Sequence, residues 1–460
     1  MNESPTQLRS GWKRVRVRDV SKSIQYGHTA SAIDRSEGPR FLRITDIQNG
    51  RVDWSSVPSC DIPSEDVPKY RLHKGDLVFA RTGATTGKSF LIGDCPDAVF
   101  ASYLIRVGVS SDIDPRYLAA YFQSPDYWQQ IEGGKRGIGQ PNVNGNVLGD
   151  IVFPLAPMEQ QKKIVAEIEK QFTRLEAGVA ALRRVQANLK RYRASVLKAA
   201  CEGRLVPTEA ELARGEGRSY ESADKLLVRI LTDRRQKWAG RGKYKEPISP
   251  DTSNLSSLPE GWTWLSVEAL GFVTKLAGFE YTKYVKYSPE GDLAVIKAEN
   301  AGRYGFKRTE ISRIESTSVA NLTRSQLKAG DLLMVFVGAG TGNVARVPDD
   351  QSYFLGPNIA MIRIESADVS PAYVEHFLRS PVGNALTLSF AKAVAQPSLS
   401  MGTIRMVPVA LPPLVEQKRI VAEVERRFSV VDQLDAVVTA NLQRATRLRQ
   451  SILQNAFTEK

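Results

Sequence analysis

The sequence predicts an α+β protein. Two α/β globules are separated by two long antiparallel coiled-coil helices, and the whole is an internal duplication about an approximate two-fold axis. Two observations carry this. A run beginning Pro157-Met158-Glu159-Gln160-Gln161-Lys162-Lys163-Ile164-Val165 recurs 256 residues later as Pro413-Leu414-Val415-Glu416-Gln417-Lys418-Arg419-Ile420-Val421. The offset holds without a gap to Ala200 and Ala456, and self-similarity at a fixed offset marks a repeated structural unit. Both runs then carry a seam in steps of four and three. In the first it holds Ile168, Phe172, Leu175, Val179, Leu182, Gln186, Leu189, Arg193 and Val196. In the second it holds Val424, Phe428, Val431, Asp435, Val438, Leu442, Ala445, Arg449 and Ile452. A 3.5-residue repeat is the coiled-coil pattern.

Taken in order, residues 1–156 make the first globule. Gly11-Trp12 opens it, and Val15, Val17 and Val20 predict a strand and a turn. Phe41 to Ile47 alternates like a strand and ends at the turn signal Asn49-Gly50. Leu72 to Ala80 reads as a Gly75-Asp76 turn entering a buried strand, followed by the glycine-rich loop Arg81 to Lys88. Tyr103 to Val107 is a further strand. Pro115 to Gln130 is helical, broken at Pro125. A basic, glycine-rich loop, Gly133 to Asn142, closes the globule.

Residues 157–204 form the first long helix, started by Pro157. At roughly 44 residues it spans about 66 Å. Residues 205–257 hold a short helix ending in Arg234-Arg235-Gln236-Lys237, then a linker rich in Gly, Ser, Pro and Lys. The second globule, 258–412, repeats the first. Gly261-Trp262, Gly330-Asp331-Leu332, the loop Gly338 to Asn343, Pro371, Ser380-Pro381 and Gln396-Pro397 match Gly11-Trp12, Gly75-Asp76-Leu77, Gly83 to Lys88, Pro115, Ser124-Pro125 and Gln140-Pro141. The second long helix takes 413–460. It has no counterpart of the 205–240 segment after it, so the chain is either short or trimmed there. Gln186 aligns with Leu442 and Val179 with Asp435. Pairing of the two unlike helices is therefore favoured over self-association.

Composition bounds the function. The chain has 460 residues, ordinary apolar content (42%) and a formal net charge of +13, which suits a polyanionic partner such as nucleic acid. Cys60, Cys95 and Cys201 are too few and too scattered for a disulfide framework, which points to a reducing cytoplasm. The N-terminus lacks a signal peptide's apolar core. No apolar run reaches membrane-spanning length.

The residues complete no enzyme motif. Gly83-Ala84-Thr85-Thr86-Gly87-Lys88-Ser89 resembles a phosphate-binding P-loop, but that motif needs a glycine where Thr82 stands. His28, His73 and His376 have no metal-ligand spacing around them. Neither a catalytic triad nor a methyl-donor loop stands out. What survives is a set of loops rich in the residues that contact phosphates and base edges. In the first globule these are Arg81, Thr82, Thr85, Thr86, Lys88, Lys135, Arg136, Gln140, Asn142 and Asn144. In the second they are Arg303, Thr341, Asn343, Lys392, Gln396 and Ser398. Shared positions (Thr86/Thr341, Gln140/Gln396) suit scaffold or phosphate contacts. Differing ones (Arg81/Phe336, Lys88/Asn343, Asn142/Ser398, Asn144/Ser400) suit base reading. Arg43-Thr45-Asp46 and Lys297-Glu299-Asn300 are secondary candidates. From these residues alone, a scaffold that binds DNA only by charge stays open.

The runs Pro154-Leu155-Ala156-Pro157-Met158-Glu159-Gln160-Gln161-Lys162-Lys163-Ile164-Val165 and Leu411-Pro412-Pro413-Leu414-Val415-Glu416-Gln417-Lys418-Arg419-Ile420-Val421, with Leu258-Pro259-Glu260-Gly261-Trp262, carry a further resemblance. The chain resembles the specificity subunits of type I restriction–modification systems over nearly its whole length. The resemblance implies two target-recognition domains, each reading one half of a split, asymmetric site on double-stranded DNA. The helices would set the spacer and dock two methylation subunits. Restriction subunits would complete the complex. S-adenosylmethionine, ATP and Mg would sit on those partners, with no cofactor and no catalysis on this chain.

Overall fold

The computed structural model describes residues 9–34, 37–48, 50–134, 142–238, 242–391 and 397–458. The chain divides into two compact units: residues 1–184 with 438–460, and residues 185–437. The two long helices, Met158–Cys201 and Leu414–Phe457, have 44 residues each and contribute to both units. Every position of the predicted seam is buried or half-buried in both helices, while the residues flanking each are largely exposed. No helix among the described residues is long and apolar enough to cross a membrane.

In the first unit Lys13–Arg16 pairs antiparallel with Val152–Leu155. An antiparallel sheet follows in the order Ser21–Tyr26, Leu104–Val109, Leu77–Ala80, Ser89–Leu91. A second, mixed sheet is ordered Ala98–Phe100, Arg40–Leu42, Ser59–Cys60, Ala32–Ile33, with its first pair parallel. A two-stranded hairpin joins Ile47–Gln48 to Arg51–Val52. Helices Pro115–Tyr121 and Pro125–Gly134 break where Pro125 predicts. The core gathers Phe79, Ile105, Tyr117, Tyr121 and Phe153 with Val165 and Ile168 of the first long helix and Leu453 and Phe457 of the second. Tyr117 and Tyr121 both meet the Phe457 ring edge-on, at 5.1 and 5.3 Å between centroids.

The second unit repeats these pieces. Thr263–Ser266 pairs with Pro408–Leu411. The antiparallel sheet runs Gly271–Lys275, Ile359–Ile364, Leu332–Val335, Val344–Arg346. The mixed sheet runs Ser312–Ile314, Leu293–Ile296, Tyr353–Leu355, Gln326–Leu327. Its hairpin joins Ala301–Gly302 to Gly305–Phe306. The short helix expected in 205–257 is Ala223–Gln236, whose Leu226 and Ile230 pack with Val196, Leu197 and Trp262. A further helix, Glu209–Glu216, was not expected. A Thr208/Glu211 capping box starts it: the Thr208 hydroxyl accepts from the Glu211 N–H, and the Glu211 carboxylate accepts from the Thr208 N–H.

One expectation fails. Phe41 to Ile47 is not a continuous strand: a 3-10 turn interrupts it at Ile44–Asp46. The Asp46 carboxylate accepts the Arg43 N–H at 2.8 Å and pairs with the Arg43 guanidinium at 2.7 Å, so a local side-chain bond overrides the alternating pattern. Asn300 does the same for Lys297.

The start of each long helix is tied to its unit by two adjacent side chains, of which Gln161, Glu416 and Gln417 are buried. Gln160 accepts from the Trp12 indole at 2.8 Å, and Glu416 from the Trp262 indole at 2.9 Å. Gln161 accepts from the Asp114 N–H and donates to the Ala156 carbonyl. Gln417 likewise accepts from the Ser370 N–H and donates to the Pro412 carbonyl. Burial pushes the Glu416 carboxyl above its ordinary range. The same clasp recurs further along the helices. In the first unit the Arg449 guanidinium lies over Phe172 at 4.0 Å and pairs with Glu176. In the second, Arg193 lies over Phe428 at 5.1 Å and pairs with Asp432.

Two predictions follow from this packing. Gln161→Leu strands two buried backbone groups, each worth about 1–3 kcal/mol, so it is expected to lower unfolding stability by roughly 2–5 kcal/mol in a denaturant titration. His376 is buried against Phe428, at 6.1 Å between centroids. Burial first, and the nearby Arg379 and Arg346 second, hold its imidazole down to about 3. The unfolded chain takes up this proton below about pH 6.5 and the folded one does not. Stability is therefore lost as pH falls below about 6.5, at up to about 1.4 kcal/mol per pH unit. His376→Ala places there the residue that the first unit has at Ala120. It is expected to lose about 2 kcal/mol less than the parent between pH 7 and pH 5 in paired melts.

Candidate functional site

The glycine-rich loops sit at the same place in the two units and are built alike. Each closes a hairpin between antiparallel strands: Leu77–Ala80 with Ser89–Leu91, and Leu332–Val335 with Val344–Arg346. A P-loop instead opens a helix, so the loop geometry removes that reading. Gly83 and Gly87 stand at φ +84 and +86, and Gly338 and Gly342 at +103 and +86, where glycine alone is unstrained. A Cβ on Gly87 would come within 2.9 Å of Ile131. The Thr86 and Thr341 hydroxyls each donate to the carbonyl three residues back, Gly83 and Gly338, at 2.7 Å. The Pro397 carbonyl, 2.9 Å from the Thr341 hydroxyl, shares that single proton. The shared threonines are spent on the loop itself.

Beside each loop runs the segment entering the next short helix. Thr82 bridges to Asn142, and Val337 to Ser398. Asn144 caps helix Gly145–Asp150 by accepting the Val147 N–H, and Ser400 caps Met401–Met406 by accepting the Thr403 N–H. Asn144 and Ser400 thus differ in identity but do the same local work. Asn300 is also engaged within the fold. It is fully buried, and its side chain accepts from the Lys297 N–H and donates to the Lys307 and Thr309 carbonyls.

Other candidates keep exposed polar surface. Lys88 is exposed, with no hydrogen-bond or ion-pair partner among the described residues, and lines an open cleft of about 990 Å³ with Arg51, Arg116, Trp128, Phe172 and Arg449. Arg303 stands exposed at the tip of the second unit's hairpin. With Lys190, Arg191, Arg193 and Arg379 it lines a cavity of about 460 Å³. Asn343 lines the same cavity and ties the loop to the hairpin by donating to the Ala301 carbonyl. Thr45 is exposed, and Thr82 and Thr85 are half-buried. Arg43 is engaged by Asp46, which holds its guanidinium above the ordinary arginine range. Lys297 pairs with Glu299 at 2.6 Å. Lys135, Arg136, Gln140, Lys392 and Gln396 lie outside the described residues, as does Asn49. Among the described residues no group of three or more His, Cys, Asp or Glu is placed to hold a metal ion.

The structure also brings in Tyr26, Tyr103, Lys275 and Asn358, which loop composition did not flag. Tyr26 accepts the Gly145 N–H at 2.9 Å and lies under the Arg81 guanidinium. Lys275 lies over Phe336. The Tyr103 and Asn358 carbonyls accept the N–H of Arg81 and of Phe336.

Comparison with known proteins bears out the resemblance drawn from the sequence. Residues 9–181 match the model of the family described as type I restriction modification DNA specificity domain. The chain is 23% identical to the type I restriction enzyme EcoBI specificity subunit of Escherichia coli over 98% of this chain and 86% of that one. It is 22% identical to a putative type I restriction enzyme MjaX specificity subunit of Methanocaldococcus jannaschii, over 99% and 94%. A solved chain, described under the structural basis of complex assembly and conformational transition of the type I R-M system, superposes with a TM-score of 0.63. It is 19% identical, with 98% of this chain and 99% of that chain covered.

The division between clasp and free side chain is testable by melting. Thr341→Ala removes the hydroxyl that two carbonyls share and is expected to cost about 1–2 kcal/mol. Lys88→Ala is expected to change stability by less than about 0.5 kcal/mol.

Proposed function

With the specificity-domain match of residues 9–181 as premise, we propose that this chain is the DNA-recognition subunit of a type I restriction–modification complex. Each unit reads one half of a bipartite, asymmetric site. The observation that carries the reading is the doubled loop scaffold: the same hairpin and the same threonine clasp, with different side chains at neighbouring positions. One scaffold with two side-chain sets suits two different half-sites, since sequence is read by side chains at base edges and backbone contacts only position the protein. The net charge of +13 supports a polyanionic partner.

On this reading the chain performs no chemistry. Two methylation subunits dock on the long helices and bring S-adenosylmethionine, flipping the target adenine out of the stack. Restriction subunits bring ATP and Mg2+. The compartment is the cytoplasm. Lys88, Arg303 and Thr45 are exposed candidates, and Arg81, Thr82, Thr85, Asn142 and Ser398 are half-buried ones that keep side-chain surface for DNA.

Co-expression of the chain with the methylation subunit encoded beside it, followed by mapping of N6-methyladenine in host DNA, tests the reading. A new two-part motif with a fixed spacer is the expected result. Exchanging residues 11–156 for those of a relative should change one half only. Methylation without a shared motif would instead favour a scaffold that binds by charge alone.

A further inference from the structure

At one end of the antiparallel sheet in each unit a cation lies over an aromatic ring, and the two members are exchanged between units. In the first unit Arg81, at the end of the loop strand, lies over Tyr26 of the outer strand, 5.0 Å from the ring centroid. In the second, Lys275 of the outer strand lies over Phe336 at the end of the loop strand, at 5.1 Å. Register makes the positions equivalent. Tyr26 pairs with Ile105 and Lys275 with Ala360 on the strand between. The Arg81 N–H donates to the Tyr103 carbonyl and its own carbonyl accepts from Val143. Phe336 donates to Asn358 and accepts from Leu399 in the same way. The backbone is held constant while the side chains trade places.

Packing alone gives no reason for the trade. It keeps one ring and one cation in the layer but moves the backbone position that carries the cation across two strand spacings, about 9–10 Å. Arg81 also differs from Arg43, Arg116 and Arg363, which are pinned by Asp46, Asp114 and Asp331. Among the described residues the Arg81 guanidinium has no hydrogen-bond partner, and its Nε is buried without one. The ring holds the guanidinium in place and leaves its buried Nε unmatched. A buried donor without an acceptor is costly, and an incoming ligand that offers an acceptor removes that cost.

Resting on the DNA-reading proposal above, we infer that Arg81 and Phe336 are equivalent base-reading positions, oriented from the outer strand by Tyr26 and Lys275. Arg81 directs a two-donor fork at the O6 and N7 acceptors of a guanine in the first unit's half-site. Phe336 supplies an apolar contact to a thymine methyl in the second unit's half-site. Tyr103, 64% exposed beside Arg81, flanks the first position.

The test uses the full chain co-expressed with its methylation subunit, with methylated motifs mapped for parent and variants. Arg81→Lys keeps the cation and loses the fork. It is expected to relax discrimination at one guanine of one half-site by about fivefold or more, with the other half-site unchanged. Phe336→Ala should relax a thymine in the opposite half. Tyr103→Ala, at an exposed side chain that the fold does not need, should alter only the half affected by Arg81→Lys. A parent two-part motif that all three variants reproduce unchanged overturns the inference and leaves the DNA-reading proposal standing. So does relaxation of both halves together by any one variant. A parent that yields no motif overturns both.

Discussion

One buried glutamine at the start of each long helix sets the terms for the rest of the molecule. Gln161 and Gln417 each accept one backbone N–H of their unit and donate to one carbonyl just before the helix. Both are buried, so neither bond can be exchanged for water without a penalty. Their neighbours Gln160 and Glu416 hold the opening tryptophans. A long helix with a seam this narrow is weakly constrained in rotation and register when isolated. The clasp fixes both relative to the globule, and the seam beyond it then has a defined direction. The glutamine-rich helix start that underlies the family resemblance therefore has a physical reason.

The large elements were legible because local rules and tertiary packing agree there. The 3.5-residue seam is half-buried or buried at every position, and the Gly75 and Gly330 turns stand at φ +95 and +87. Elements were missed where a side chain competes with the backbone pattern. Asp46 bends an alternating run into a 3-10 turn. The Glu209–Glu216 helix carried a readable signal, a threonine followed three residues later by a glutamate, in a stretch whose composition suggested only a short helix and a linker.

The candidate site was legible in location and less so in detail. Polar loop residues resemble DNA contacts, yet loops need polar side chains to hold themselves together. Thr86, Thr341, Asn144, Ser400 and Asn300 serve that end. Conversely, Tyr26 and Lys275 end strands and carry no loop signature. Their equivalence emerges only from strand register, because loop insertions shift the repeat offset along the chain.

The first unit takes its final pieces from the far end of the polypeptide. Its aromatic helix Pro115–Tyr121 packs on Phe457, and Leu453 is buried in the same core. During synthesis, residues 1–184 leave the ribosome long before residues 438–460 exist. At about 5–20 residues per second, the apolar surface around Tyr117, Tyr121 and Ile168 waits roughly 15–70 s for its cover. The second unit is continuous in sequence from 185 to 437 and can close first. The nascent chain thus completes its later-made half before its earlier-made one, and its exposure to misassembly is greatest in the N-terminal half.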